Sequence, residues 1–402
     1  MVQNVTRGAV ALVAGCLLVL SLALPAQGRL LLNDKVIQAP GADLDLDLEL
    51  EEALGALMVE HEVVGLAVVV VRDNAVVYRN SLGWKDREAR IPLEEGDIFR
   101  IASISKSFAA TSILQLVEQG RLSLDDDVGG LLGFPVRNPA YPDRAITLRM
   151  LLNHTSSITD SQRYSSLDII NPGVNETWAR SYSEHAPGEQ YEYSNLGYNM
   201  VGAIIEQASG KRFDRYVSEH VLDPLGLYGG HWPEVLDADR IAQIYRYHDD
   251  EGFVRSDAAY APLGERLEDY RLGYSAPMFS PTGGLKIPAS DLAGYMLMHM
   301  NHGEWSGVRI ISPEHAALMQ APTVRIDEDT AYGLALRTDR ALIPGVTLVG
   351  HTGSAYGLYS SMFFDVEGKY GFVVITNGTR DPVVRTAVNR ALHGHFIEQP
   401  ND

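Results

Sequence analysis

Apolar positions along this chain change period twice, and each change marks a different kind of element. Val63-Val64-Gly65-Leu66-Ala67-Val68-Val69-Val70-Val71 is an unbroken, mostly β-branched run. Arg72-Asp73-Asn74 is turn-forming and Ala75-Val76-Val77-Tyr78 returns, which predicts a β-hairpin over 63–82. Residues 103–119 then space Ile104, Phe108, Ile113, Leu114, Leu116 and Val117 at helical intervals on more than one face, with Gly120 as the stop. That predicts a buried helix. From about 121 to 270 the pattern is mostly helical with polar connections, clearest at Leu148–Leu152 and at 197–208. From about 330 strand patterns return at 345–350, 359–364 and 370–375, before a closing helix at 382–393.

This order predicts an α/β (α+β) fold in which strands from the two ends share one antiparallel sheet flanked by helices. Residues 40–120 and 271–397 form that sheet lobe. Residues 121–270 form an inserted all-helical lobe, with the active site between the two. No internal repeat or low-complexity stretch interrupts the pattern.

The first 28 residues stand apart. Arg7 precedes an apolar run over 8–24, followed by Pro25-Ala26-Gln27-Gly28, the layout of a signal peptide cleaved after small residues. A retained anchor through residues 8–24 is the alternative, since the run is just at the short limit for a membrane span. Val13-Ala14-Gly15-Cys16 resembles a lipoprotein site, but Leu17 to Leu24 extend the apolar run past the cysteine. Cys16 is the only cysteine, so removal of the leader leaves no thiol for disulfides, nucleophilic cysteine or thiolate metal sites. A periplasmic or secreted protein is expected, touching the membrane only through an uncleaved leader. The net charge of −19 argues against nucleic acid as a partner.

Three short motifs carry candidate chemistry. In Ser103-Ile104-Ser105-Lys106, a serine and a lysine three apart share one helix face, where a lysine of depressed pKa can take the serine's proton. Chance supplies roughly 0.4 such pairs in this composition, so the position at the start of a buried helix is what gives the pair weight. Tyr193-Ser194-Asn195 follows the Pro187-Gly188 turn and precedes a helix. Tyr193 could carry a proton with Lys106, and Asn195 could bind a substrate amide. Tyr78-Arg79-Asn80 has the same spacing but lies on the hairpin, with Tyr78 expected to face the core. In His351-Thr352-Gly353-Ser354, between two strands, Gly353 leaves room for substrate backbone and His351 could orient a carboxylate or the tyrosine hydroxyl. The Ser103 and Ser354 amides would form the oxyanion hole.

Together, in this order, the motifs resemble the serine β-lactamase and penicillin-binding-protein superfamily, for which a serine-lysine motif is a signature. The resemblance runs from about Val63 to Asn377. It includes Phe99-Arg100-Ile101-Ala102-Ser103, the 120–126 segment, Leu151-Leu152-Asn153-His154-Thr155-Ser156, Pro224-Leu225-Gly226-Leu227 and Gly283-Gly284-Leu285. It implies a two-lobed serine hydrolase with no metal or cofactor, of the branch holding class C β-lactamases, D,D-carboxypeptidases, D-aminopeptidases and esterases. Two departures stand out. His351 replaces the lysine many β-lactamases carry, and Ser157 replaces the usual glycine. No Glu-x-x-Leu-Asn segment supplies a class A deacylating glutamate.

The expected function is acyl transfer to water through Ser103, most of all a D,D-carboxypeptidase or D-aminopeptidase-like peptidase acting on small-molecule or peptide substrates, peptidoglycan-derived ones included. A carboxylesterase or class C-like β-lactamase is the alternative. From another class comes a penicillin-binding or sensor protein that is acylated without turnover. No Gly-x-Ser-x-Gly is present, which disfavours an α/β-hydrolase. A zinc site is disfavoured because His61-Glu62 lacks a second histidine at the required spacing, and His393 and His395 are expected at the surface.

Overall fold

In the computed structural model, which describes residues 44–398 except 366 and 368, the β-branched runs nearest the two ends of the chain pair with each other. Helix α1 (Leu44–Glu60) leads into β1 (Gly65–Arg72) and β2 (Ala75–Asp86). The turn between them is Asp73-Asn74 alone, both at positive φ (50° and 65°), the two-residue geometry whose twist matches a hairpin. Arg72 therefore belongs to the strand, paired with Ala75. The first 43 residues, with the expected leader and anchor, lie outside the described residues.

The unalternating β1 run has a simple cause: both of its faces are covered. Leu66, Val68 and Val70 pack with Leu50 and Leu54 of α1 and with Val384, Val388 and Leu392 of α9 (Val384–His393). Ala67, Val69 and Val71 join the larger core on the other face. Further along the chain come the edge strand β3 (Ile91–Pro92), β4 (Ile98–Arg100) and the buried helix α2 (Ser105–Glu118), whose apolar residues belong to that larger core.

The region that follows contains α3 (Val128–Leu132), α4 (Leu148–Leu152), α5 (Asn195–Ser209) and α6 (Phe213–Val217), joined by short 3₁₀ turns. It also contains a hairpin, β5 (Tyr245–His248) and β6 (Gly252–Arg255), where only helix was expected. Its strands are four residues each and largely exposed, too short and too polar to show alternation against the surrounding helical pattern.

Then come β7 (Lys286–Pro288), which pairs with β4, and α7 (Ala289–Met300). The small hairpin β8 (Glu304–Trp305) and β9 (Val308–Arg309) and helix α8 (Pro313–Gln320) precede the remaining strands. These are β10 (Val324–Arg325), β11 (Thr330–Tyr332), β12 (Arg337–Asp339), β13 (Leu348–Ala355), β14 (Leu358–Asp365) and β15 (Tyr370–Gly378). The main sheet is antiparallel, in the order β10-β11-β12-β13-β14-β15-β1-β2-β3. The β15–β1 pair, with Val68 opposite Val374, joins the strands from the two parts of the chain into one sheet. Among the described residues no helix is long and apolar enough to cross a membrane.

Candidate active site

Ser103 sits in a 3₁₀ turn, Ala102–Ile104, between β4 and α2, so the α-helix begins two residues later than its apolar spacing suggests. Ala102, immediately before the serine, has φ +48°, a region that strains any residue with a Cβ. The turn is held from beneath by Ser105, whose hydroxyl donates to Ala102 O (2.7 Å) and accepts from Leu285 N (3.1 Å). Ser103 itself remains partly exposed, while Lys106, one turn on, is fully buried.

Burial pushes the Lys106 ammonium well below its ordinary pKa, opposed by the charge of Asp160. In its neutral form this amine has two N–H groups and one lone pair. Nζ lies 2.9 Å from Thr282 O and 2.8 Å from Asn195 Oδ1, both of which can only accept. Those contacts use both N–H groups. The lone pair is left for the third neighbour, Ser103 Oγ at 3.2 Å.

Tyr193 completes the group. Its ring centroid is 4.7 Å from Lys106 Nζ, and burial holds the phenol well above its ordinary pKa against the opposing hydrogen bond with Ser103. Tyr193 is thus a protonated phenol at neutral pH. His154 lies against the Tyr193 ring at 4.3 Å, and its Nδ1 accepts from Ser194 N (3.1 Å), fixing the loop that carries Tyr193 and Asn195. Ser194 caps α5 by accepting from Gly197 N. The decoy Tyr78-Arg79-Asn80 is occupied on β2, where Asn80 donates to the Tyr78 hydroxyl and Tyr78 packs on the core beside α1.

The third motif adjoins this group with a different chemistry from the one its residue types suggest. His351 is buried, and burial together with Lys106 pushes its pKa down to about 3. Its Nδ1–H donates to Thr352 O (2.5 Å) and its Nε2 accepts from the Tyr332 hydroxyl (2.9 Å). It is a neutral ring with both nitrogens engaged, so it presents no net positive charge to a carboxylate. Gly353 is needed for protein packing: a Cβ there would meet Ile101 O at 2.2 Å and Ser360 Oγ at 2.3 Å. The missing side chain lets β13 press against the Ser103 turn and brings Thr352 and Ser354 alongside it. The Ser354 side chain is exposed.

Ser157, where the resemblance expects glycine, adopts φ +60°, the conformation glycine would take without strain. Its hydroxyl accepts from Asn138 Nδ2 (3.0 Å) in a buried position, which offsets part of that strain. Three residues with no signal in the motifs complete the site: Thr282 through its carbonyl, Tyr332 through His351, and Asp160 through Asn195. Thr282 was the most accessible to sequence reasoning, since it adjoins the Gly283-Gly284 pair.

Among the described residues no cluster of three or more His, Cys, Asp or Glu side chains is placed to hold a metal. His61 pairs instead with Asp381 at 3.1 Å. His393 is not at the surface as expected: it is buried beside the Tyr370 hydroxyl at 3.3 Å.

The chain is similar to several known proteins. A family model described as Beta-lactamase matches residues 50–395. Penicillin-binding protein 4* of Bacillus subtilis (strain 168) is 30% identical over 352 residues, covering 83% of this chain and 73% of that protein. Esterase EstB of Burkholderia gladioli is 32% identical over 200 residues, 45% of this chain and 49% of that one. Among solved structures, the octameric penicillin-binding protein homologue from Pyrococcus abyssi superposes with a TM-score of 0.71 at 28% identity, covering 88% of this chain and 79% of that one.

Proposed function

The chain belongs to the Beta-lactamase family of serine hydrolases, and we propose that it cleaves esters and amides through an acyl-enzyme on Ser103. The observation that carries this reading is the environment of Lys106: Nζ lies within hydrogen-bond distance of Asn195 Oδ1, Thr282 O and Ser103 Oγ, so that in the neutral form the first two take its N–H groups and its lone pair is left for the serine. Ser103 Oγ attacks the carbonyl carbon as its proton passes to Lys106 Nζ. The carbonyl oxygen takes the negative charge beside the Ser103 and Ser354 amides. Collapse breaks the bond to the leaving group, which receives a proton from the Tyr193 phenol. Lys106 returns a proton to Tyr193. Water then attacks the acyl ester, losing its proton to Lys106, and Ser103 is released with its hydrogen restored.

Neutral His351 favours substrates without a free carboxylate beside the scissile bond, which places short-chain esters and neutral D-amino acid amides ahead of D,D-peptides and β-lactams. The likeness to esterase EstB supports the same order. The expected D,D-peptidase is the second reading, favoured by Arg385. Burial and neighbouring Arg337 hold that guanidinium down to about 10, and its hydrogen bond to Ser360 O is long at 3.5 Å. Such a cation would gain from a substrate carboxylate. The leader-like residues 1–28 support export to the periplasm or medium, with a mature form beginning after Gly28 on N-terminal sequencing.

Parallel turnover of a p-nitrophenyl ester, a D-amino acid amide, a D-Ala-D-Ala peptide and nitrocefin tests the order. Steady ester turnover is expected, with Ser103→Ala at least about 10³-fold slower and the acyl mass adduct absent. Efficient nitrocefin hydrolysis alone would overturn the substrate order. A single stoichiometric burst without turnover would mark an acylated binding protein.

A further inference from the structure

Asp160 lies outside the three motifs, in the loop that follows α4, yet its carboxylate reaches the first turn of α5. Oδ1 accepts from Leu196 N (2.9 Å) and the Ser194 hydroxyl (3.4 Å). Oδ2 accepts from Asn195 N (3.0 Å) and from the Asn195 side chain, Nδ2, at 2.8 Å. Helix capping accounts for the two backbone contacts, although Ser194 already occupies the N-cap. It does not account for the contact with Nδ2.

We propose that Asp160 is a positioning residue for catalysis: it fixes the Asn195 amide with its oxygen toward Lys106, so that the lysine's lone pair faces Ser103. This rests on the acyl-transfer reading above.

A primary amide in this slot has two orientations, related by a half-turn. An ionised carboxylate only accepts hydrogen bonds, so it stabilises the orientation that presents NH₂ to it and repels the one that presents oxygen. With Nδ2 on Asp160, Oδ1 faces Lys106 Nζ (2.8 Å) and accepts from the Thr282 hydroxyl (2.6 Å). The reversed amide would set an N–H against the lysine and compete with the serine hydroxyl for the same lone pair. Asp160 thus decides, through Asn195, where the base points.

Its charge has a second effect. The titratable groups facing Lys106 from the elements packed around it are Tyr193 and Tyr198, held protonated, and His154 and His351, held neutral. The charge of Asp160 acts against burial and raises the lysine's pKa. Activity that needs neutral Lys106 rises with pH through that pKa and is lost as pH falls through it. Removing the nearby negative charge lowers the pKa and moves this acid limb to lower pH.

Near-isosteric Asp160→Asn tests the proposal, because asparagine can present either oxygen or NH₂ and so leaves Asn195 free to turn. With the p-nitrophenyl ester, kcat is expected to fall about 10–100-fold at little change in KM. The acid limb of kcat/KM should move down by about one pH unit. Adding Asp160→Asn to Asn195→Ala should cost little more than Asn195→Ala alone, since the two act as one unit. Asp160→Ser, which keeps a capping hydroxyl too short to reach Nδ2, should repeat the loss of kcat if Asp160→Asn folds poorly. An unmoved acid limb with additive losses would reduce Asp160 to a helix cap and overturn the proposal. Ser103→Ala run in parallel separates the two readings: if it stays active, the acyl-transfer mechanism itself falls. If it is inactive while the Asp160→Asn limb is unmoved, only the role of Asp160 falls.

Discussion

Lys106→Ala is expected to lower kcat/KM by about 10²–10⁴-fold on every substrate the wild type cleaves, the range of a positioned general base. The loss should fall on acylation, because Ser103 Oγ then has no lone pair within reach to receive its proton. Tyr193 cannot substitute as the base, since its buried phenol holds its own proton well above neutral pH. The variant also leaves Thr282 O without the donor it now has, at a cost of about 1–3 kcal/mol for a buried acceptor left unpaired, while Asn195 Oδ1 keeps the Thr282 hydroxyl. Lys106→Met keeps more of the volume and separates chemistry from packing: its activity should be as low, with a smaller fall in thermal stability. In both variants the acid limb assigned to Lys106 should vanish from the pH–rate profile. Single-turnover acylation rates and melting curves measured together check the prediction, and an acid limb that survives in Lys106→Met would remove the lysine from the role of base.

Gly353→Ala is the second large effect. A single methyl group there would come 2.2 Å from Ile101 O and 2.3 Å from Ser360 Oγ, both inside contact distance. Neither neighbour can simply rotate away, because Ser360 Oγ donates to Ile101 O (2.9 Å) and Ile101 N donates to Leu285 O (3.0 Å). Relief requires β13 and the Ala102–Ile104 turn to separate, which displaces Ser103 from Lys106 and from the Ser354 backbone. Overpacking of this kind costs about 1–3 kcal/mol of stability. A nucleophile displaced by about 1 Å costs about 10²-fold in rate. A fall in kcat larger than the loss of stability explains, at 20 °C where the variant is folded, is the expected result. Unchanged kcat with a lowered melting point would show that the turn yields without moving the serine.

Much of the fold could be seen in the chain alone because its cause is local. The β1 run reads as a strand, Arg72-Asp73-Asn74 as the turn (one residue longer than the Asp73-Asn74 pair that makes it), and α2 as a buried helix with apolar residues on more than one face. The short β5–β6 hairpin was hidden because four-residue, exposed strands leave no periodic signal. Ser103 and Lys106 were legible together because three residues along a helical path bring side chains onto one face, whether the first turn is 3₁₀ or α. Gly353 was also visible as a position requiring glycine. What presses against it was not, since Ile101 lies some 250 residues earlier in the chain.

By itself, then, the sequence determined the sheet-forming runs, the pairing of Ser103 with Lys106 as candidate nucleophile and base, and the candidate motifs Tyr193-Ser194-Asn195 and His351-Thr352-Gly353. Only the tertiary structure decided the charge each of these groups carries and the direction it faces. Residue type fixes a pKa only in water, and it is burial that pushes the Lys106 ammonium well below its ordinary pKa and leaves His351 an uncharged ring. Residue type fixes no orientation for an amide either. That of Asn195 follows from Asp160, 35 residues away, and the lysine's second acceptor comes from Thr282, 176 residues beyond Lys106.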